Sequence, residues 1–303
     1  MQRENQLQQV RRFNRMVTRR IGVLGSDYLG SGRPLGEARL LFEIGLEGAT
    51  VRELRARLGL DSGYLSRLLR ALEREGLVAS RRDEGDGRVR RVDLSARGRK
   101  EWRMLDRRSD AFAASLLAPL GASQRARLLA AMGEVERLMR AASVTIALAD
   151  PGGADARACI EAYFRELDAR FDEGFDPART VSANPDELVP PAGFFLLASL
   201  DGRPVGCGAL KVKAGGLGEI KRMWVDASAR GLGIAQRLIE ALEAQAAAAG
   251  VRVLQLDTHR SLAEARALYA RNGYAEIPPY NDNPYAHHWF EKRLPRRRGG
   301  RAA

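Results

Sequence analysis

The sequence predicts a multidomain chain: a mainly α-helical domain over residues 1–143 that ends in a basic hairpin and two long helices, then an α/β domain of α+β type over residues 144–303, with a mixed, largely antiparallel sheet. Three observations predict it. At 303 residues the chain exceeds the usual single-domain length, and each half is large enough to bury its own core. Apolar residues in the first half recur at spacings of three and four, whereas in the second half β-rich runs alternate with helical ones around a hairpin signal. The charge divides in the same way: residues 1–150 carry 29 Lys and Arg against 19 Asp and Glu, a net +10, while residues 151–303 carry 21 against 19, a net +2. Without the Arg-rich end PRRRGGRAA, residues 295–303, which is expected to be a disordered basic tail, the second half falls to −2.

Composition narrows the class further. No stretch approaches the roughly 20 uncharged apolar residues of a membrane span, and MQRENQLQQVRRFNRMVTRR lacks the apolar run of a signal peptide, so a cytoplasmic chain without a membrane partner is expected. Two cysteines, Cys159 and Cys207, lie far apart and outside any CxxC spacing; they read as reduced, buried thiols rather than a disulfide or a zinc site. Three histidines, His259, His287 and His288, supply no plausible metal cluster, since neighbours in the strand expected at His287-His288 face opposite ways. The basic first half suits a polyanion, although an excess of Arg over Lys can also arise from genome composition.

In chain order, Leu7, Val10, Phe13, Val17, Ile21 and Leu24 predict an amphipathic helix with a polar face rich in Arg. TVRELRARLG opens with Thr50 and has Glu53 three residues on, a capping box, and Gly59 closes the helix. After the turn LGLDS a second helix, GYLSRLLRALEREG, starts behind Asp61 or Ser62; two short helices about a tight turn are a helix-turn-helix. Its Leu65, Leu68, Leu69 and Leu72 form one stripe. Ser62, Gly63, Tyr64, Ser66, Arg67 and Arg70 cover the other side, where small polar and Arg residues suit entry into a DNA major groove, the alternative being an ordinary solvated face. LVASRRDEGDGRVRRVDLS then reads as a hairpin crowded by Arg81, Arg82, Arg88, Arg90 and Arg91, a wing whose tip can slide Arg88 into a narrow minor groove while Arg90 and its neighbours hold phosphates.

Over residues 5–143 this segment resembles the MarR family of winged helix-turn-helix regulators, in the pattern GYLSRLLRALEREGLV, the wing residues Asp86 to Arg88, and LSARG, Leu94 to Gly98. The resemblance implies a homodimer that reads a pseudo-palindromic double-stranded DNA operator, with the first helix and the helices RKEWRMLDRRSDAFAASLLAPL and ASQRARLLAAMGEVERLMRAA at the dimer interface.

The junction is expected near Ala141 to Val144. SVTIALADPGGADARACIEAYFREL then reads as strand, turn and helix; GFFLLASLDGRPVGCGALKVK as two strands about an Asp201-Gly202 hairpin turn; GEIKRMWV as a third strand and VRVLQLDT as a fourth; SLAEARALYARNG as a helix; and HHWFEKRL as a final strand. Between GEIKRMWV and the helix RLIEALE lies RGLGIAQ, where Gly231 and Gly233 leave backbone N–H groups unobstructed at a helix start and Arg230 adds a charge. That is a diphosphate cradle, or else a glycine-rich helix entry without a ligand. A dinucleotide fingerprint fails because Gln236 stands where the third glycine belongs, and a P-loop fails because no Gly-Lys-Ser/Thr follows.

Over residues 144–294 the chain is similar to the GNAT family of N-acetyltransferases, in Arg230-x-x-Gly233-x-Ala235 after a strand and in AEARALYARNGY, which brings Ala265, Leu268, Tyr269, Gly273 and Tyr274 into register. The resemblance implies acetyl-CoA as co-substrate, held by Val225, Arg230, Gly231, Leu232, Gly233, Ile234, Ala235, Ser261 and Tyr269, and direct attack of a small-molecule amine on the thioester. It implies Tyr269 as the group that protonates the leaving sulfur, the Val225 N–H as oxyanion donor, and Glu219, fourteen residues before Gly233, as the general base. Tyr269 also fits a core aromatic. Glu219 also fits a structural ion pair with Lys221, with which it shares a strand face along with Met223. Members often carry Asn where this chain has Leu262, so one polar contact to the cofactor is missing or comes from Ser261 or His259. RELDARFDEGFDP and PPYNDNPYAHHWF are expected to flank the acceptor cleft, where Glu173, Asp176 and Asp282 attract an amine or are solvated loop charges. The rival reading is a transcription factor whose second domain senses an acyl-CoA or another metabolite without turnover.

Overall fold

The computed structural model describes residues 2–22, 25, 27–82, 89–180 and 183–295, and the chain divides into two compact units, Met1–Leu129 and Ala130–Ala303. Leu24, the wing tip with Arg88, and the Arg-rich end from residue 296 onwards lie outside the described residues.

The first unit runs α1 (Gln2–Ile21), a 3-10 turn at Tyr28–Gly30, α2 (Leu35–Ile44), β1 (Ala49–Thr50), α3 (Val51–Leu58), α4 (Ser62–Arg74), β2 (Val78–Arg82), β3 (Arg90–Leu94) and α5 (Ala96–Leu117), and α6 (Ala122–Ser143) begins in it. Local chemistry accounts for the helix-turn-helix. Thr50 Oγ1 accepts from the Glu53 N–H while Glu53 accepts from the Thr50 N–H, so both halves of the capping box are made. Gly59 takes φ +62° to end α3, and the Asp61 carboxylate accepts the Tyr64 N–H at 2.8 Å to start α4. Leu65, Leu69 and Leu72 are no more than 1% exposed against Leu40, Leu41 and Leu54, and burying each contributes about 1.5–3 kcal/mol. β1, β3 and β2 form an antiparallel sheet in that order. Gly98, in LSARG, lets α5 pack on the wing base: a Cβ there would sit 1.9 Å from the Leu77 carbonyl oxygen.

The second unit continues from α6 with β4 (Thr145–Leu148), α7 (Ala154–Arg170), β5 (Gly193–Leu200), β6 (Arg203–Lys213), β7 (Leu217–Val225), α8 (Ile234–Ala248), β8 (Val253–Thr258), α9 (Ala263–Arg271), β9 (Ala275–Ile277) and β10 (His288–Arg293). Its seven strands lie in the order β4-β5-β6-β7-β8-β10-β9, and every neighbouring pair is antiparallel except β7 with β8. Asp201 (φ +52°) and Gly202 (φ +74°) make the β5–β6 hairpin turn that the sequence predicts. α8 buries Leu238, Ile239 and Leu242 against one face of the sheet, and Cys159 of α7 packs with Phe195, Cys207 and Trp224 on the other; both cysteines are free and buried. Of the expected histidine pair only His288 is in a strand, with His287 just ahead of it donating its N–H to the Thr258 carbonyl.

Two features of β7 shape the site. Its parallel pairing with β8 stops at Glu219–Gln255, so beyond that point the two strands part. Arg222 has φ +56°, and the register with β6 shifts there: Lys221 opposes Ala209 and Trp224 opposes Cys207. One extra residue is thereby inserted, and the alternation of faces reverses. Met223, expected on the face of Glu219 and Lys221, instead packs on the α8 side, and Trp224 takes the Glu219–Lys221 side.

Candidate functional sites

A cleft of about 540 Å³ opens at the splayed end of β7. Met223, Trp224 and Val225 form its floor, the turn from Ala229 through Gly231 and Gly233 and the first residues of α8 form one rim, and Tyr163, Glu166 and Arg170 of α7, with Leu262 just before α9 and Ala265 and Tyr269 within it, form the walls. Gly231 and Gly233 have φ of +80° and +74°, and a Cβ on either would meet nothing within 4 Å. The loop therefore uses glycine for backbone conformation, and the space beside it is open. Gly233 is the N-cap of α8 and no side chain caps that helix, so the amides of its first turn carry the positive end of the helix without a side-chain partner. Together these features give the loop the chemistry that could hold an anion.

The Asp226 N–H donates to the Val205 carbonyl across to β6. Since successive amides of a strand point to opposite edges, the Val225 N–H is turned towards the gap between β7 and β8. Arg230 is braced: its Nη2 lies 2.6 Å from both Glu166 oxygens and its Nε donates to the Val225 carbonyl at 3.1 Å. Burial pushes the Glu166 carboxyl up, but hydrogen bonds from Arg230, Trp224 and Arg170 outweigh it and hold Glu166 below the usual carboxylate range. Leu232 is buried in the α8 core, Ile234 likewise, and Ala235 lines the cleft beside Gln236. Ser261 lines neither this cleft nor the next; its hydroxyl and N–H both engage His259 Nδ1, at 2.9 and 3.1 Å, while Leu262 lines both.

A second, smaller cleft of about 90 Å³ meets the first along Tyr163, Leu167, Met223, Leu262, Ala265 and Tyr269. Phe164, Phe171, Phe175, Tyr285 and His259 give it an aromatic wall, and Asp257 is the one carboxylate lining it among the described residues. Tyr269 stands where the clefts join. It is 5% exposed, and no hydrogen bond among the described residues takes its hydroxyl; burial first, and the charge of Asp257 second, push its pKa well above the ordinary phenol value, so it is un-ionised at neutral pH. Tyr163 is raised too, by burial first and then by Tyr269 and Asp257.

Glu219 is not brought to either cleft. It is 2% exposed and bound by Lys221 Nζ at 2.9 Å, Lys213 Nζ at 2.8 Å and the Tyr280 hydroxyl at 2.9 Å. Burial raises its pKa, yet these partners hold it below the ordinary value. Lys221 passes the contact on to Asp257 Oδ2 at 3.1 Å, and Asn281 and Asn283 each donate to Asp257 at 2.8 Å. Sequence reasoning gave no role to Asp257, Tyr163 or Glu166. The polar alternation Gln255, Asp257 in a strand central to the sheet, and the i,i+3 pair Tyr163 and Glu166 on α7, were the available signals. Glu173 lies 3.6 Å from His259 Nε2 and Asp176 donates its N–H to the Tyr285 hydroxyl, beside the aromatic wall.

In the first unit Ser62, Tyr64, Arg67 and Arg70 are exposed on α4 and Ser66 is half-buried, with Ser66, Arg67 and Arg70 away from the leucine stripe and Ser62 and Tyr64 at its edges. The Arg67 guanidinium sits 5.6 Å from the Tyr64 ring centre, and Arg70 Nε donates to the Ser66 carbonyl at 3.2 Å. Arg90 is turned back onto Glu73 and Ser80, both at 2.9 Å. Among the described residues no group of His, Cys, Asp and Glu could hold a metal ion, and no helix is long and apolar enough to cross a membrane.

A sequence model of the acetyltransferase (GNAT) family matches residues 158–274, and one of the MarR family matches residues 31–89. An IAA acetyltransferase of Azospirillum brasilense is 45% identical over 92 residues, 30% of this chain, and the chain spans 59% of that relative's length. A Klebsiella pneumoniae subsp. pneumoniae structure provisionally described as an acyl-CoA N-acyltransferase is 34% identical, with 50% of this chain and 97% of that one covered and a TM-score of 0.40. The PcaV transcriptional regulator of Streptomyces coelicolor is 24% identical, with 41% of this chain and 90% of that one covered and a TM-score of 0.35. The chain thus joins a MarR family domain to an acetyltransferase domain of the GNAT family.

Proposed function

We propose that this chain is a DNA-binding transcriptional regulator whose second domain is an acetyl-CoA-dependent N-acetyltransferase acting on a small-molecule amine. The observation that carries the reading is the meeting of the two clefts at Tyr269, one rimmed by uncapped helix amides and the other walled by aromatic rings around one carboxylate.

Acetyl-CoA supplies an activated acyl group; the rest is the work of this chain. The amides from Leu232 to Gln236 seat the diphosphate, with glycine at Gly231 and Gly233 keeping side chains out of its way. The Val225 N–H, pointing into the β7–β8 gap, donates to the thioester oxygen as charge builds there. Tyr269, protonated at working pH, donates to the departing sulfur. Asp257 faces the acceptor and takes the ammonium proton, while Glu219 acts at one remove by fixing Lys221 against Asp257. The rings of Phe164, Phe171, Phe175 and Tyr285 favour an acceptor with a flat apolar body.

In the first domain, α4 with Ser62, Tyr64, Ser66, Arg67 and Arg70 enters the major groove of a pseudo-palindromic operator, and Arg88 and Arg90 of the wing add phosphate or minor-groove contacts. The exposed apolar residues Leu7, Val10, Phe13 and Met16 on α1 support a homodimer.

A sensor without turnover is the second reading; Leu262 at the clefts' junction and the enclosure of Glu219 favour it. Thiol release from acetyl-CoA, measured with arylalkylamines, polyamines and aminoglycosides, separates the two. Turnover with at least one amine is expected, whereas cofactor binding without thiol release from any amine would establish the sensor.

A further inference from the structure

The phosphate loop is held from outside its cleft by a residue of α6. Arg137 and Glu134 face each other one turn apart on that helix, with Nε to Oε2 at 2.9 Å and Nη2 to Oε1 at 2.6 Å. This two-point clamp fixes the guanidinium plane and leaves Nη1 free to donate, which it does to the Gly231 carbonyl at 2.9 Å. A second arginine ties the same elements in the reverse direction: Arg237, in the first turn of α8, donates to the carbonyls of Ala141 at 3.0 Å and Val144 at 2.8 Å.

The carbonyl of Gly231 and the N–H of Leu232 belong to one planar peptide unit and point in opposite directions. Arg137 is not among the residues lining the cleft, so the carbonyl it holds is drawn away from the cleft and the Leu232 N–H is turned the other way. Gly231 is the position where this needs enforcing. With φ +80° and no atom within 4 Å of where a Cβ would stand, it offers little resistance to a peptide flip that would exchange the amide for a carbonyl oxygen facing the diphosphate.

We propose that Arg137 is a positioning residue for the phosphate loop: by anchoring the Gly231 carbonyl it keeps the loop's amide face towards coenzyme A's diphosphate. This rests on the coenzyme A reading given above. Calorimetry on the full chain, with coenzyme A and with pantetheine, which lacks both diphosphate and nucleotide, tests it. Arg137→Ala should weaken coenzyme A by about tenfold, the scale of losing one hydrogen bond to a charged group, and leave pantetheine within about twofold. Arg137→Lys should recover part of the loss, and Glu134→Gln should show a smaller loss of the same kind. The inference is overturned if Arg137→Ala binds coenzyme A like the wild type, or if it loses coenzyme A and pantetheine equally, which would mark a general disturbance of the cleft. A wild-type chain that binds no coenzyme A would instead remove the transferase reading, and this inference with it.

Discussion

Replacing Tyr269 with Phe tests the reaction centre with little interference from the fold. The ring is 5% exposed and packs against Tyr274 and Phe290 with centroids 6.0 and 5.9 Å away, contacts that Phe keeps. Its hydroxyl makes no hydrogen bond to the described residues, so its removal strands no partner and should change stability by less than about 1 kcal/mol. The kinetic effect should be far larger. Burial and Asp257 hold the phenol un-ionised, so on the proposed mechanism Tyr269 donates to the leaving sulfur, and removal of one such donor costs about 10²–10³ in kcat, or about 2.7–4 kcal/mol of barrier. Steady-state thiol release with a saturating amine, alongside calorimetry with coenzyme A and a thermal melt, reads all three quantities. A kcat within about threefold of wild type, with cofactor affinity intact, would sink the assignment of Tyr269. Tyr163→Phe is the companion variant: it borders both clefts from α7 and should lose less, since no step is assigned to its hydroxyl.

Gly233→Ala should destabilise the second unit by about 1–2 kcal/mol through left-handed strain at φ +74° and not through a clash, and Gly233→Glu should abolish coenzyme A binding by calorimetry because a carboxylate then occupies the phosphate's position. Replacing Arg67 and Arg88 together by Ala should weaken operator binding in gel shifts and flatten its salt dependence by about 0.9 in log–log slope for each DNA phosphate that is no longer neutralised; unaltered midpoints and slope would refute their role. Burial first, and the neighbouring His287 second, lower the His259 pKa, so the unfolded chain takes up this proton at about pH 6.5 while the folded chain does not until lower pH. Stability should therefore fall as pH drops through that window, and the thermal midpoint of His259→Gln should fall less steeply there. Phe13→Glu on the exposed stripe of α1 should convert a dimer to a monomer by light scattering, with the thermal melt preserved.

The parts of this fold that were legible in the sequence are those fixed by neighbours along the chain. Thr50 with Glu53, Gly59, Asp61 and the Asp201-Gly202 turn each satisfy backbone groups a few residues away, so their meaning travels with the local sequence. The leucine stripe of α4 and the alternation of strands and helices after residue 144 follow from periodicity in the same manner. α2 was not legible: Pro34 precedes it and no side chain caps its start, so LGEARLLFEI offers neither a capping residue nor a clear polar face. The two-residue β1 and three-residue β9 exist only as partners of β3 and β10, and nothing within such short runs announces a strand.

The candidate site was legible up to Lys221 and obscure beyond it, and a single residue explains the break. Arg222 adopts a positive φ without being glycine, a conformation that tertiary structure imposes and that local sequence does not signal. The inserted residue reverses the faces of β7, sending Met223 to α8 and Trp224 to the α7 side, where its indole N–H reaches Glu166 at 2.8 Å. Without the bulge, Met223 would continue the Glu219–Lys221 face, and Glu219 would sit on an unbroken strand leading to the Gly231–Gly233 loop. With it, Glu219 stays behind among Lys213, Lys221 and Tyr280, and among the described residues the carboxylate that lines the smaller cleft is Asp257, contributed by β8 after the two strands have parted. Glu219 and Asp257 share Lys221, so removing the Glu219 charge should act on turnover only through the orientation of that lysine, and it should destabilise the fold by about 3–5 kcal/mol, as breaking a buried ion pair does.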